Sequence, residues 1–501
     1  MPHPSKLVLC VIDAMAPQML ERAVEGGEAP VLGALMQRGS YIPDCVAAFP
    51  SVTPVCAASI VTGAWQDRHL IPAMNWYHRV EGRYIEYGSS FRAAQRFGIA
   101  RQLTDTVYNM NRVHLATEPL TIFESLDDAE VRTAGTTYLM YRGRHRHEPQ
   151  RDSPLTRLAS TLMRHSVEGP RELFYADIFA SRRTGCTSGL GMPGVRDQHS
   201  GCVGAYLVEH DLFDFLLLSL PDNDWYSHKH GPEGQVRSLA LADQQLARMM
   251  DAGGGMERFL DEHAVIVMAD HSQVPITHAI ALQDQLEDLE VLTPTRLSAR
   301  SSGSRDAARI AVCPSQRAAM VYLLSEHRRE ELRSDVTRRA LQLDGVDLVM
   351  WMERGQGADS TWAVIAKPSQ GELRFAPGGD LRDERGGRWS VEGDLAVIAA
   401  DVHDGVLRAV EYPDALTRVW SALQCPTSGD VLLSASEGYE FSDWGRQAHV
   451  GGGSHGSLHR SDSLGALILC GLEFERPTTP WAIRDVAPVI AGHFGLPSAP
   501  S

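Results

Sequence analysis

The sequence predicts an α/β protein with a mostly parallel central sheet, helices on both faces, and a smaller sheet-rich subdomain. Three observations carry this prediction. Short continuous apolar runs recur along the 501 residues, as in strands buried on both faces. Helical patterns separate several of them, and strand–helix alternation marks a parallel sheet covered on both sides. One region, 293–410, breaks the rhythm with strand-like pieces and Gly- and Asp-rich turns. A chain of this length can form two or three typical domains with a large buried core.

The apolar runs are 7–13 (LVLCVID), 133–141, 213–222, 264–270, 430–436 and 466–471. The first reads as a buried strand and is too short for the apolar part of a signal peptide. No run approaches the ~20 residues that span a bilayer. In 47–63 (AAFPSVTPVCAASIVTG), Pro50 and Pro54 bracket Ser51 and Thr53, and the small apolar residues that follow read as a helix ending at Gly63. The stretch 78–130 is mixed and partly helical. After Gly234, residues 236–250 put Leu239, Leu246 and Met250 on one stripe, with Asp243 and Arg248 off it. The triple glycine at 253–255 stops that helix. Residues 293–303 are polar, basic and Gly/Ser-rich, as in a loop. Strand-like pieces at 346–352, 361–367 and 395–401 then alternate with turns such as 377–389. The expected division is a core of 1–292 and 411–501, with 293–410 inserted as a cap.

Composition narrows the function classes. Acidic residues number 63 and basic residues 47, a net charge of −16. Neither a nucleic-acid polymer nor an anionic lipid surface suits such a field. The 20 histidines are compatible with divalent cations but do not by themselves show a site. Eight cysteines are scattered without a CxxC pair, and Cys10 and Cys470 lie inside apolar strands. With no secretion signal, this predicts reduced cysteines and a cytoplasmic setting.

Several strands end in ligand-type side chains. Asp13 ends the first; Asp222 and Asp224 follow the run at 213–220, with His228 and His230 just beyond. Asp270 and His271 follow 264–268, and His455 lies in GGGSHGS, 451–457. Open α/β sheets gather ligands beyond the carboxyl ends of their strands, so these groups are expected at one edge. The 47–63 segment adds a hydroxyl at a helix start, where unpaired N–H groups and the helix dipole favour a phosphoryl group. A Thr hydroxyl needs a base or a metal to become a nucleophile. No Lys or His adjoins it in sequence, which leaves metal activation as the economical reading.

These motifs in this order resemble the alkaline phosphatase superfamily, and within it the nucleotide pyrophosphatase/phosphodiesterase branch that includes phosphonoacetate hydrolase. The matching segments are Asp13, FPSVT with Thr53, PDNDWYSHKHGP with Asp224 and His228, MADHS with Asp270 and His271, and GSHG with His455. They span residues 6 to about 471 and leave 309–410 without a motif. The resemblance implies an alkaline phosphatase-like core holding two divalent ions, zinc first, with manganese or iron compatible with the same donors. One ion is expected on Asp224, His228 and His455, the other on Asp13, Asp270, His271 and the Thr53 oxygen. It further implies in-line attack by Thr53, a phosphothreonine intermediate, and a small anionic phosphorus-containing substrate. Asn75, in HLIPAMNWY (69–77), is the expected phosphoryl-binding amide. Ala14 and Leu70 stand where the family commonly has glycine.

Alternatives at each position are resolved by the motif series. Asp13 alone would be a helix cap. Spacing from Phe49 favours Thr53 over Ser51, and the four-residue step to His228 favours Asp224 over Asp222. His230 reads as a rim residue. In the basic run 141–147, Arg142 and Arg144 are expected substrate contacts. Trp76 and Tyr77 are core residues or platforms for a substrate ring. A phosphomonoesterase or a phosphonate hydrolase is the competing activity. A sulfatase is disfavoured because CPSQR at Cys313 has the wrong spacing. A catalytically dead binding protein would lack a ligand or the nucleophile, and none is missing.

Overall fold

The computed structural model describes residues 4–151, 156, 163–294, 308–354, 361–473 and 479–497. The expected loop at 293–303 lies largely outside them.

The first strand, Lys6–Ile12, is buried along six of its seven residues. On either side it pairs in parallel with Phe215–Leu220 and His263–Met268, both wholly buried. Continuous apolar sequence and two-sided burial therefore coincide, as a central parallel strand requires. The eight-stranded sheet runs Ser40–Val46, Leu464–Cys470, His263–Met268, Lys6–Ile12, Phe215–Leu220, Thr133–Gly135, Glu172–Tyr175, Phe179–Ala180. Leu464–Cys470 is antiparallel to both neighbours, and Phe179–Ala180 returns antiparallel on Glu172–Tyr175. Ile12 is level with Leu220 and Val11 with Met268. The three chain segments that follow therefore leave the sheet side by side.

Alternation along the first strand separates two layers. Leu7, Leu9 and Val11 pack with Val55, Cys56 and Ile60 of the helix Thr53–Thr62. Val8, Cys10 and Ile12 pack with Leu20, Leu32, Val203, Leu239 and Leu246 from four helices on the opposite face. One of these, Gln235–Ala252, carries the expected apolar stripe, but Asp243, read as off the stripe, is buried. Its carboxylate accepts from the Val31 and Leu32 amides at 3.3 and 2.7 Å, capping the helix Pro30–Arg38. Unpaired first-turn N–H groups draw an acid inward that amphipathic periodicity alone would place outside.

The second sheet has nine strands, antiparallel but for one pair. It runs Ile310–Ser315, Ala318–Leu323, Val431–Ala435, Val346–Arg354, Thr361–Lys367, Gly371–Asp383, Val406–Ala409, Ala400–His403, with Arg388–Gly393 also on Gly371–Asp383. The run at 430–436, expected in the central sheet, forms its strand here because both edges pair with cap strands. The second sheet thus extends beyond residue 410. The strand read at 395–401 is instead a 3-10 turn, Leu395–Ile398, capped by Asp394, followed by Ala400–His403. Met320, Leu348, Ile365 and Phe375 share one apolar cluster with Leu7, Phe49 and Val55. The two sheets are therefore joined by a common core.

The cysteine reading needs correction. Cys186 and Cys202 form a disulfide that ties the preceding loop to the helix Arg196–Glu209. Proximity in the fold, invisible in the spacing, brings them together. The other six are free and buried. Among the described residues, no helix is long and apolar enough to cross a membrane.

A buried arginine fastens the sheets together. Arg317, in the turn between Ile310–Ser315 and Ala318–Leu323, meets Asp462 at 2.9 Å with both side chains fully buried. Its guanidinium also donates to the Tyr439, Ala435 and Ser436 carbonyls and the Ser457 hydroxyl. Breaking one partner of such a pair strands the other charge. Arg317→Met should therefore cost about 3–5 kcal/mol, read as a lower denaturant midpoint.

Candidate metal centre

Side chains from five separate segments meet beyond the carboxyl ends of the central strands. Asp13 leaves the first strand. Asp224 and His228 share one face of the helix Asp222–His230, four residues apart. Asp270 and His271 follow His263–Met268, Thr53 opens its ten-residue helix, and His455 comes from the glycine-rich loop. That loop runs against the ligand helix and the second sheet. A Cβ at Gly452 would sit 1.9 Å from the His228 carbonyl, and one at Gly456 would sit 3.0 Å from the Ser315 carbonyl.

Two groups have ligand atoms all within 4.8 Å of one another: Asp224–His228–His455 and Asp13–Asp224–His271. Asp224 stands in both, where the sequence assigned it to one. Its Oδ1 is 3.4 Å from His228 Nε2 and 3.5 Å from His455 Nε2. His271 Nε2 lies 3.6 Å from Asp13 Oδ1, 3.4 Å from Asp270 Oδ2 and 3.4 Å from Thr53 Oγ1.

The three imidazoles are oriented alike. His455 Nδ1 donates to the Ser51 carbonyl and His228 Nδ1 to the Gly453 carbonyl, each at 2.7 Å, and His271 Nδ1 to the Ser272 carbonyl at 3.2 Å. Each donation fixes the tautomer and turns the Nε2 lone pair into the site. Asp270 Oδ1 accepts the Ala14 and His271 amides, which leaves Oδ2 facing inward.

Electrostatics favours a cation here. Burial, then Asp270 and Asp224, push the Asp13 carboxyl well above its ordinary range. Burial also raises Asp224, but His228, His455 and His271 together hold it well below that range. Burial and then the neighbouring His271 push His455 well below its ordinary range. Asp13 Oδ1 and His455 Nε2 are buried without a hydrogen-bond partner. Unsatisfied oxygen and nitrogen donors of this kind suit zinc, so the residues fit the divalent ions the sequence implies.

The competing residues separate clearly. Ser51 is fully buried and committed to the His455 loop: its hydroxyl donates to the Ser457 carbonyl and accepts the Gly456 amide. Asp222 caps the helix Arg196–Glu209 through the Asp197 amide and pairs with Arg196. Asn75 opens the strand Asn75–His78 and donates its amide to the Ile85 carbonyl at 2.8 Å, with Oδ1 buried and unpartnered. Trp76 is enclosed edge-on to His114, and Tyr77 packs against Tyr84 and Tyr322, which assigns both rings to the core. The Arg142 guanidinium is taken up by Glu124 and three backbone carbonyls, and Arg144 by Glu124 and Asp128. Both line a cavity of about 610 Å³ that contains none of the ligand residues.

Ala14 and Leu70, the two departures from glycine, have φ of 58° and 67°. Both occupy the left-handed conformation that glycine adopts most cheaply.

Three features escaped the sequence reading. Gln273 donates to the Asp224 carboxylate and carbonyl; its place two residues after His271 was the available signal. Glu440 binds the His449 amide and Nδ1, and the His449 ring stacks on His228 at 3.9 Å between centroids. His449 lies close before the GSHG segment. Gln316 Nε2 lies 3.4 Å from His228 Nε2, and no motif marks it.

A family model, type I phosphodiesterase/nucleotide pyrophosphatase, matches residues 7–458. No curated protein matches the chain in sequence. Among solved structures, phosphonoacetate hydrolase from Sinorhizobium meliloti 1021 in complex with phosphonoformate aligns with a TM-score of 0.54 and 18% identity, over 97% of this chain and 95% of that one. Murine ectonucleotide pyrophosphatase/phosphodiesterase 5, an inactive variant in complex with AMP, aligns with a TM-score of 0.57 and 11% identity, over 99% and 96%.

The shared position of Asp224 makes a specific prediction. Zinc at a hundred times its Kd should stabilise the metal-free protein by about 2.7 kcal/mol, read as a rise in melting midpoint. Asp224→Ala should lose that rise. Asp222→Ala should melt lower at baseline yet keep it.

Proposed function

Because the chain belongs to the type I phosphodiesterase/nucleotide pyrophosphatase family, we propose that it is a phosphodiesterase using Thr53 as nucleophile in a two-zinc site. The observation that carries this reading is the Thr53 hydroxyl 3.4 Å from His271 Nε2, beside two carboxylate–imidazole groups that share Asp224.

Asp224, His228 and His455 would hold one ion, and Asp13, Asp270, His271 and Thr53 Oγ1 the other. When bound, the ions lower the hydroxyl pKa of Thr53 and offset charge on the attacking and leaving oxygens. The chain's own groups do the rest. Thr53 sits at the start of its helix, where the dipole favours a phosphoryl group. Its oxygen bonds to phosphorus as the bond to the leaving group breaks, giving a phosphothreonine. Water then cleaves the Thr53–phosphorus bond and restores the hydroxyl. Burial of Asp13, Asp270, His271 and His455 lowers the local dielectric and strengthens each of these interactions. Asn75, with one amide hydrogen given to Ile85, keeps a second for a phosphoryl oxygen.

The substrate is proposed to be a small anionic phosphorus compound. Binding of AMP by the murine neighbour favours a nucleotide diester, and binding of phosphonoformate by the bacterial one favours a phosphonate as the second reading. Rates on a diester, a monoester and a phosphonate with one common leaving group separate these activities. The diester should turn over fastest, and a faster monoester would reject the diesterase assignment. Thr53→Ala should lower kcat by at least a thousandfold while zinc content holds. Ser51→Ala should keep its phosphoenzyme, trapped by acid quench, and a lost phosphoenzyme in that variant instead would move the nucleophile to Ser51.

A further inference from the structure

The second sheet reaches the site at the two-residue turn that joins Ile310–Ser315 to Ala318–Leu323, with Ser315 paired to Ala318. Gln316 is the first turn residue and has φ of 62°. Tight hairpin turns normally put Gly, Asn or Asp where φ is positive. A long side chain there is strained, and retained strain at a site directs attention to function.

The turn is held rigidly. Its Gln316 carbonyl accepts the Phe441 amide, the Arg317 amide donates to the His455 carbonyl, and the Ser315 hydroxyl accepts the Met74 amide. The Gln316 carboxamide is thereby directed at His228, Nε2 to Nε2 at 3.4 Å, while its Oε1 is buried without a partner. His228 donates from Nδ1 to Gly453, so in the neutral ring Nε2 is the acceptor that the Gln316 NH₂ faces, beside the Asp224 carboxylate. A cation on His228 uses the same lone pair, which releases the amide hydrogens toward whatever lies beside that ligand. Gln316 approaches the Asp224–His228–His455 group, whereas Thr53 approaches His271. In an in-line displacement the group opposite the nucleophile departs.

We propose that Gln316 is a specificity residue, whose NH₂ donates to an oxygen acceptor on the leaving group. The preferred substrates then carry such an acceptor next to the scissile bond, as a leaving pyrophosphate does and an aryl group does not. This rests on the Thr53 phosphodiesterase reading.

The test uses zinc-loaded full-length protein with two substrates. One is ATP cleaved between its α and β phosphorus atoms; the other is the p-nitrophenyl ester of thymidine 5′-monophosphate. Gln316→Gly relieves the strained φ, so its melting midpoint should equal or exceed that of the parent. Its zinc content should be unchanged. Its kcat/KM should fall about ten- to a hundredfold on ATP, the range of one hydrogen bond to a charged group, and less than threefold on the aryl ester. Gln316→Glu, which loses the donor and adds charge, should fall at least as far on ATP. Equal losses on both substrates, no loss on either, or loss of zinc in the glycine variant would overturn the proposal. A parent protein that binds zinc yet cleaves neither substrate would instead reject the underlying phosphodiesterase reading.

Discussion

Like charges gathered where water is scarce are the constraint on which this protein turns. Asp13, Asp224 and Asp270 converge at the end of the central sheet, and burial and mutual repulsion drive Asp13 far from its ordinary titration. Nothing apolar offsets such an arrangement. Three imidazoles surround the carboxylates, each turned inward by a backbone carbonyl on its outer nitrogen. Much of the surrounding architecture holds these groups together. The parallel register of three buried strands puts three exits side by side. A glycine-rich loop too thin for side chains presses His455 against the ligand helix, and Arg317 with Asp462 locks that loop to the second sheet.

How much of this was legible in the sequence depended on whether the information was local. Asp13, the Asp224–His228 step, Asp270–His271 and His455 each sit at the end of an apolar run or within a compact motif, so the carboxylates and imidazoles that meet in the fold could be singled out without coordinates. The central strands were legible for a similar reason, because continuous apolar residues leave few alternatives. What escaped reading depended on pairing across the chain. Val431–Ala435 is as apolar as a core strand and joins the second sheet only because its hydrogen-bonding partners lie there. Asp243 looked solvent-facing by periodicity, but two distant amides required a cap. Cys186 and Cys202 meet through loop packing, and Gln316 reaches His228 from a segment without any motif.

The second sheet is therefore more than a cover. Its strands share the apolar core beneath the helix that carries Thr53, and its first hairpin touches two of the ligand-bearing segments directly. The proposed chemistry and the proposed selectivity divide along the same line. The segments that leave the central strands supply the carboxylates and two imidazoles, and the glycine-rich loop supplies the third. The second sheet supplies a single polar tip, whose position follows from a tight turn. A change in the tip can alter which molecules are accepted without disturbing the ligands, an arrangement that loops on a rigid scaffold commonly provide.

The left-handed backbone at Ala14 and Leu70 bears on how proteins of this kind are found at all. Glycine at these two places answers a demand of chain geometry, and no reacting group depends on it. An alanine or leucine can meet that demand at roughly 1–2 kcal/mol each, a sum a large buried core can absorb. Search patterns that insist on the two glycines would pass over this chain, although each carboxylate and imidazole of the motif series is present. Patterns weighted toward carboxylate and imidazole spacing, and lenient about the turns between them, would retain it.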